Sequence, residues 1–115
     1  MKDIVLETIE SYNEYIEKVS RGCVKIADYL RKDQISEAMR LILDFSEGMG
    51  WLVEARNLLV KNEVKVTLEE EKIHEFLHEV NAGLEIHDYV LVADMFEYEI
   101  APFFEESMPV EVPVN

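Results

Sequence analysis

The amino-acid sequence predicts an all-α protein, folded as an antiparallel up-down bundle of four helices. Its 115 residues, 49% of them apolar, have the size and composition of a single globular domain. The sequence contains four glycines and three prolines, and every proline lies at or after Pro102, so most of the chain lacks helix-breaking residues. Apolar residues also recur at steps of three and four, the period of an amphipathic helix. We therefore predict one helical domain over residues 1–106 and an extended tail over residues 107–115.

The first helix is predicted over residues 3–31. Acidic and basic residues occupy one face of it, as expected for a helix with one buried side. At 1.5 Å per residue this helix is about 40 Å long and needs partners of similar length. The opposite face carries an apolar seam of eight residues at alternating steps of four and three: Val5, Ile9, Tyr12, Ile16, Val19, Cys23, Ile26 and Leu30.

The second helix is predicted over residues 34–60, after a short break. Arg31 and Lys32 suit the negative end of the first helix, and Asp33 suits the N-cap of the second. The residues expected to face inward are Ile35, Met39, Ile42, Phe45, Met49, Val53 and Val60.

The third helix is predicted over residues 67–86, because Thr67 and Glu70 have the spacing of a capping box. The fourth is predicted over residues 88–106, with Asp88 as its N-cap and Pro102 kinking or ending it. The inward residues of the third helix are Ile73, Phe76, Leu77, Val80 and Leu84. Those of the fourth are Tyr89, Val92, Ala93, Phe96, Ile100 and Phe103.

The tail over residues 107–115 alternates valine with glutamate and proline. We interpret it as a frayed terminus. The alternative is a short strand-like segment that docks on a neighbour.

The charge balance restricts the possible partners. With 25 acidic and 11 basic residues, the net charge is −14, which repels nucleic acid and anionic membrane surfaces. The single cysteine, Cys23, excludes an internal disulfide. The N-terminus shows no signal-peptide hydrophobic run, and no apolar stretch is long enough to cross a membrane, so we expect a cytoplasmic protein.

One motif suggests metal chemistry. His74, Glu75 and His78 resemble the HExxH motif of zinc-dependent peptidases, in which two histidines one helical turn apart bind zinc and the glutamate is the general base. In the glutamate-type members of that family the third ligand is a Glu on a following helix, a position that Glu97 matches. The resemblance implies a minimal zinc metallopeptidase.

A surface interpretation of the motif is preferred. Those peptidases hold substrate against a β-sheet, and the one strand-like run before the motif is residues 63–68. Phe76 and Leu77 belong to the predicted core stripe, which places both histidines beside it. We therefore expect no enzymatic activity, no cofactor and no metal.

Two helices carry more apolar surface than a four-helix monomer can bury. An additional row lies on the second helix and another on the fourth. Such rows predict a protein–protein contact, and we expect a homodimer anchored by Trp51. The alternative is that Gly48 and Gly50 break the second helix and return Trp51 to the core. The predicted contact residues are Trp51, Ala55, Leu58, Leu91, Met95 and Tyr98, with Gly48 beside them.

The segment from His87 to Glu106 resembles the last helix of small acidic bundle proteins from Gram-positive bacteria. Its Asp-Tyr-x-Leu start and Tyr-Glu-x-x-Pro end carry that resemblance. Size, acidity and topology are also similar to those of the helical export chaperones for flagellin. The first likeness implies no particular activity, and the second implies a chaperone-like or adaptor-like protein. Together with the additional apolar rows, this predicts a non-enzymatic interaction module.

Overall fold

The computed structural model describes residues 3–113, and over that range the protein is all-α, with four helices and no strand. Helix α1 spans Asp3–Arg31, α2 spans Ile35–Lys61 and α3 spans Glu70–Glu85. The fourth helix, α4, is one continuous run of three segments. These are an α-helical turn Tyr89–Asp94, a π-helical segment Met95–Ile100 and a last α-helical turn Ala101–Glu105.

Helix α1 contacts both α2 and α4 along its length, whereas α3 packs mainly on α4. All eight residues of the predicted α1 seam are buried, none more than 6% exposed. That prediction is confirmed. The 29 residues of α1 extend about 44 Å, most of the 51 Å length of the elongated molecule.

The three turns between helices have the same backbone conformation. Asp33, Glu63 and His87 each adopt a left-handed conformation, with φ of 60°, 62° and 55°. In each turn the next amide donates to the carbonyl five positions earlier at 2.9 Å, which is the Schellman motif that closes a helix C-terminus. The prediction that Asp33 caps α2 is therefore wrong, because Asp33 ends α1 and Gln34 is the N-cap.

The buried stripe of α2 differs from the predicted one at Met39, near the start of the helix, and over its second half. Met39 and Val60, predicted inward, are exposed. The chain after α2 folds back along the helix in an extended form, and the Arg56 Nε donates to the Leu68 carbonyl at 2.6 Å. This segment covers a side of α2 that helical periodicity does not identify. The buried residues of α2 are Ala38, Ile42, Phe45, Met49, Leu52, Ala55 and Leu59.

Helix α3 begins three residues later than predicted. Its N-cap is Glu69, with no side-chain cap, so the predicted capping box of Thr67 and Glu70 does not form. Val64 and Leu68 are buried instead, and residues 64–69, which contain them, are not helical. Within α3 the predicted stripe is confirmed, because Ile73, Phe76 and Val80 are buried and Leu77 and Leu84 pack against the core.

Helix α4 starts as predicted, with the Asp88 carboxylate accepting a hydrogen bond from the Leu91 amide at 3.1 Å. Pro102 does not end the helix, which continues to Glu105. Proline has no amide hydrogen to donate to the preceding turn. The π-helical segment directly before it has a wider turn with a shifted bonding pattern, which accommodates the proline inside a continuous helix.

The tail is docked on α1, so its interpretation as a frayed terminus is wrong for residues 107–110. The Asn13 side-chain amide donates to the Val110 carbonyl at 3.0 Å and accepts from the Val110 amide at 2.8 Å. Val110 itself is buried. The tail thus contacts α1 of its own chain, and its residues 107–113 form no strand. Residues 114–115 lie outside the described range.

The turn after α2 generates a stability prediction. Glu63→Gly should stabilise the protein by about 1 kcal/mol, because glycine adopts the left-handed conformation without the penalty of a Cβ. Urea unfolding followed by circular dichroism measures the change.

The matched control is Glu54→Gly, which removes the same charge from an exposed site within α2. It should destabilise the protein by about 1 kcal/mol, since glycine is a poor helix former. Destabilisation by both substitutions would contradict the Schellman assignment of the turn.

Candidate interaction surface

The residues of the zinc-peptidase resemblance are not gathered into one site. His74, Glu75 and His78 are exposed on α3, and Glu75 lies 3.4 Å from the Lys72 ammonium. Glu97 instead accepts a hydrogen bond from Arg31. Across residues 3–113 no group of three or more His, Cys, Asp or Glu side chains is placed to hold a metal ion. The alternative ligand set His74, His78 and Glu97 is therefore not assembled.

The buried nucleophilic groups of α1 are held in their protonated forms. Burial raises the pKa of the Cys23 thiol to about 12. Burial likewise raises the pKa of Tyr12 to about 12, against the opposing effect of Arg56. At neutral pH these groups act as core side chains, as the apolar seam predicts.

The prediction that Ala55 and Met95 belong to a contact surface is wrong. Ala55 is 5% exposed and Met95 is 2% exposed, so neither is available to a partner. Ala55 belongs to the half of α2 whose buried stripe is shifted, and Met95 opens the π-helical segment, whose different period turns it inward. The other members are Trp51, Leu91 and Tyr98, which are exposed, and Leu58, which is half-buried.

Trp51 and Tyr98 lie on different sides of the molecule. Trp51 packs edge-on against Tyr15, with ring centroids 5.8 Å apart. Tyr98 packs under the Arg31 guanidinium at 5.7 Å, beside the Arg31–Asp94 ion pair of 2.9 Å. Tyr15 and Arg31 are sixteen residues apart on α1, which places them about 160° apart around the helix. The predicted surface therefore divides into two separate regions.

The region around Trp51 is built on an unbroken helix. Helix α2 runs through Gly48 and Gly50 without interruption, so the predicted alternative of a glycine break is wrong. Gly48 has a different role: a Cβ at this position would lie 1.8 Å from the Tyr15 hydroxyl. Glycine lets Tyr15 cross α2 closely, and this holds Trp51 on the surface, 39% exposed, against the Tyr15 ring.

A pocket of about 210 Å³ opens between α1 and α2 next to Tyr15. The charged side chains of Lys18, Lys25 and Asp44 also line it. We call the pocket together with Trp51 the α1–α2 face. Its remaining lining residues are Val19, Gly22, Ile26, Leu41 and Phe45.

Gly22 within this face has no role inside the chain. A Cβ there would meet no atom within 4 Å, and its φ is not positive. Glycine within a helix costs about 1 kcal/mol relative to alanine. Sequence reasoning did not single out Gly22, Lys18 or Lys25, although a glycine in the middle of a long helix was a visible signal.

Comparison with known proteins identifies a family. A model of the domain of unknown function DUF8042 matches residues 7–109. The chain belongs to the DUF8042 family. No curated protein and no solved structure matches it. The DUF8042 match runs from Glu7 in the first part of α1, through the other three helices, to Pro109, one residue before the docked Val110. Among the described residues, none of the helices has the length and hydrophobicity needed to cross a membrane.

The exposure of the two histidines gives a prediction. His74→Ala and His78→Ala should each change the free energy of unfolding by less than about 0.5 kcal/mol, the range of ordinary surface substitutions. Thermal unfolding of untagged protein, with and without added zinc, measures this. A zinc-dependent rise in Tm that His74→Ala removes would show that the histidines bind metal.

Proposed function

We propose that this DUF8042 protein is a non-enzymatic protein–protein interaction module, of an adaptor-like kind, and that it binds through the α1–α2 face. The exposed Trp51 beside an apolar pocket carries this proposal. Large aromatic side chains next to desolvated pockets are the residues that most often dominate binding energy. The edge-on contact with Tyr15 holds Trp51 in place before binding, which lowers the entropy lost on association.

The proposal includes an antiparallel up-down arrangement of the four helices. Three contacts support it. Arg31, at the end of α1, bonds to Asp94 near the start of α4, while Asn13, in the first half of α1, bonds to Val110 beyond the end of α4. Tyr15 on α1 meets Trp51 in the second half of α2. Helices that run alongside one another make a rigid scaffold, which suits a face that spans two of them.

Self-association and a cytoplasmic location are further parts of the proposal. The apolar lining of the pocket and the exposed Trp51 ring favour a contact that excludes water. A homodimer formed through Trp51 is the simplest assembly that covers this face. Ala55 and Met95, buried in the core, are not part of the contact proposed now.

The test is Trp51→Glu, examined by light scattering over a micromolar concentration series. The wild type should be a dimer, and Trp51→Glu should be a folded monomer. Loss of a central aromatic costs about 2 kcal/mol or more, which corresponds to roughly thirtyfold in Kd.

The matched control is Tyr98→Glu, an exposed aromatic that becomes a carboxylate on the other side of α1. It should remain dimeric. A monomeric wild type, or a Trp51→Glu variant as dimeric as the wild type, would contradict the proposed contact. Unfolding by Trp51→Glu would show instead that the ring is part of the core.

A further inference from the structure

The exposed charges of α1 are segregated along the helix. From Asp3 to Glu17 every charged residue of α1 is acidic. From Lys18 to Arg31 the charged residues are basic, with the exception of Asp28. We call six of these residues the outer charge stripe: Glu7, Glu10, Glu14, Lys18, Arg21 and Lys25. All six are exposed, and they lie within about 80° of arc on the side opposite the buried seam. This face of α1 is therefore negative in its first half and mainly positive in its second, where the exposed Asp28 shares the arc with the three basic residues.

The stripe is complementary to itself when the helix is reversed about Ile16. Glu14 and Lys18 each lie two residues from Ile16. Glu7 and Lys25 each lie nine residues from it. If a second α1 lies antiparallel to the first, with the two Ile16 residues at the same level, an acid of one helix lies opposite a base of the other at two separate levels.

We propose that two copies of the protein pair through α1, packed antiparallel about a two-fold axis at the level of Ile16. In this contact Glu7 of each copy faces Lys25 of the other, and Glu14 of each faces Lys18 of the other. The inference rests on the proposed self-association and names its partner surface. A two-fold contact is formed by the same patch on both copies, so the patch must be complementary to itself, as the outer charge stripe is.

Gly22 lies beside the outer charge stripe, on the same side of it as Tyr15. Gly22 and Glu10 each lie six residues from Ile16 and so at the same level of the contact, but about 120° apart around α1, so the Glu10 of one copy does not face the Gly22 of the other. A helix from a second copy would approach α1 at the one exposed position of its middle that lacks a Cβ. Close approach of a second helix would account for a glycine at position 22, where a Cβ would contact no other atom of the single chain.

The same register also determines where Tyr15 and Trp51 lie in the contact. Tyr15 is one residue from Ile16 and carries Trp51 at 5.8 Å. Rotation about the axis keeps the two Tyr15–Trp51 pairs on the same side of the paired helices, so they meet near the axis. The contact then has the two aromatic pairs along one side at its mid-level, about 100° around α1 from the middle of the stripe, and charged residues along its length.

Charge favours this orientation over the parallel one. Within residues 3–113 neither Lys18 nor Lys25 lies in an ion pair, so both remain available to a second copy. Parallel pairing would set Glu7 against Glu7 and Lys25 against Lys25. Exposed ion pairs contribute little each, so their effect is to select orientation and register while the two aromatic pairs supply affinity.

The test is a charge swap between two variants, one with Lys18→Glu and Lys25→Glu, the other with Glu7→Lys and Glu14→Lys. Each variant alone brings like charges together and should dimerise at least about tenfold more weakly than the wild type. An equimolar mixture, with one variant labelled with ¹⁵N, should form the heterodimer in native mass spectrometry. The control for the first variant is Lys61→Glu with Lys65→Glu, which lowers the net charge by the same amount at exposed sites off the stripe and should stay dimeric.

The outcomes separate this inference from the proposed function. If the charge variants dimerise as well as the wild type while Trp51→Glu is monomeric, the α1 register is overturned and the Trp51 contact stands. The absence of a heterodimer in the mixture also overturns the register. A wild type that is monomeric throughout overturns both. Circular dichroism of each variant confirms that it is folded before its assembly is compared.

Discussion

The burial of one side of α1 is the constraint on which the rest of the structure depends. Its seam is continuous from Val5 to Leu30, and both α2 and α4 pack on it. Even the tail is fixed to it, through Asn13. Removing this apolar surface from water is the main favourable contribution to folding, and a single long helix supplies much of it. Because one side of α1 lies in the core, the side that remains exposed is available for contacts with other molecules.

This division explains why the proposed contact lies where it does. Helix α1 is held along its whole length, so the outer charge stripe and Tyr15 are presented on a rigid support. Gly48 allows Tyr15 to cross α2 and to position Trp51 beside the pocket. In the proposed contact, affinity would come from the aromatic pair and orientation from the separated charges. Such a separation allows specific pairing in a chain whose net charge of −14 opposes association.

Helical periodicity in the sequence was sufficient for the features that depend on local spacing. It predicted the α1 seam, most of the α3 and α4 stripes and the Asp88 cap, each of which arises within a few residues of chain. It failed where distant segments or a local change of helical period decide the outcome. Ala55 belongs to the stripe that shifts where the extended segment after α2 covers the helix, and Met95 is turned inward by a π-helical segment. The Asn13–Val110 pair joins residues 97 positions apart, which no local pattern can indicate.

The central claim is that the α1 seam holds the entire bundle together, and Ile16→Asp tests it most directly. Ile16 lies in the middle of the seam, 6% exposed, and an unpaired carboxylate there is strongly destabilising. The control is Val24→Asp, the same kind of change at an exposed site on the same helix. Thermal unfolding followed by circular dichroism should show Ile16→Asp unfolded or destabilised by about 3 kcal/mol or more, and Val24→Asp close to the wild type. An Ile16→Asp protein that melts like the wild type would contradict the account.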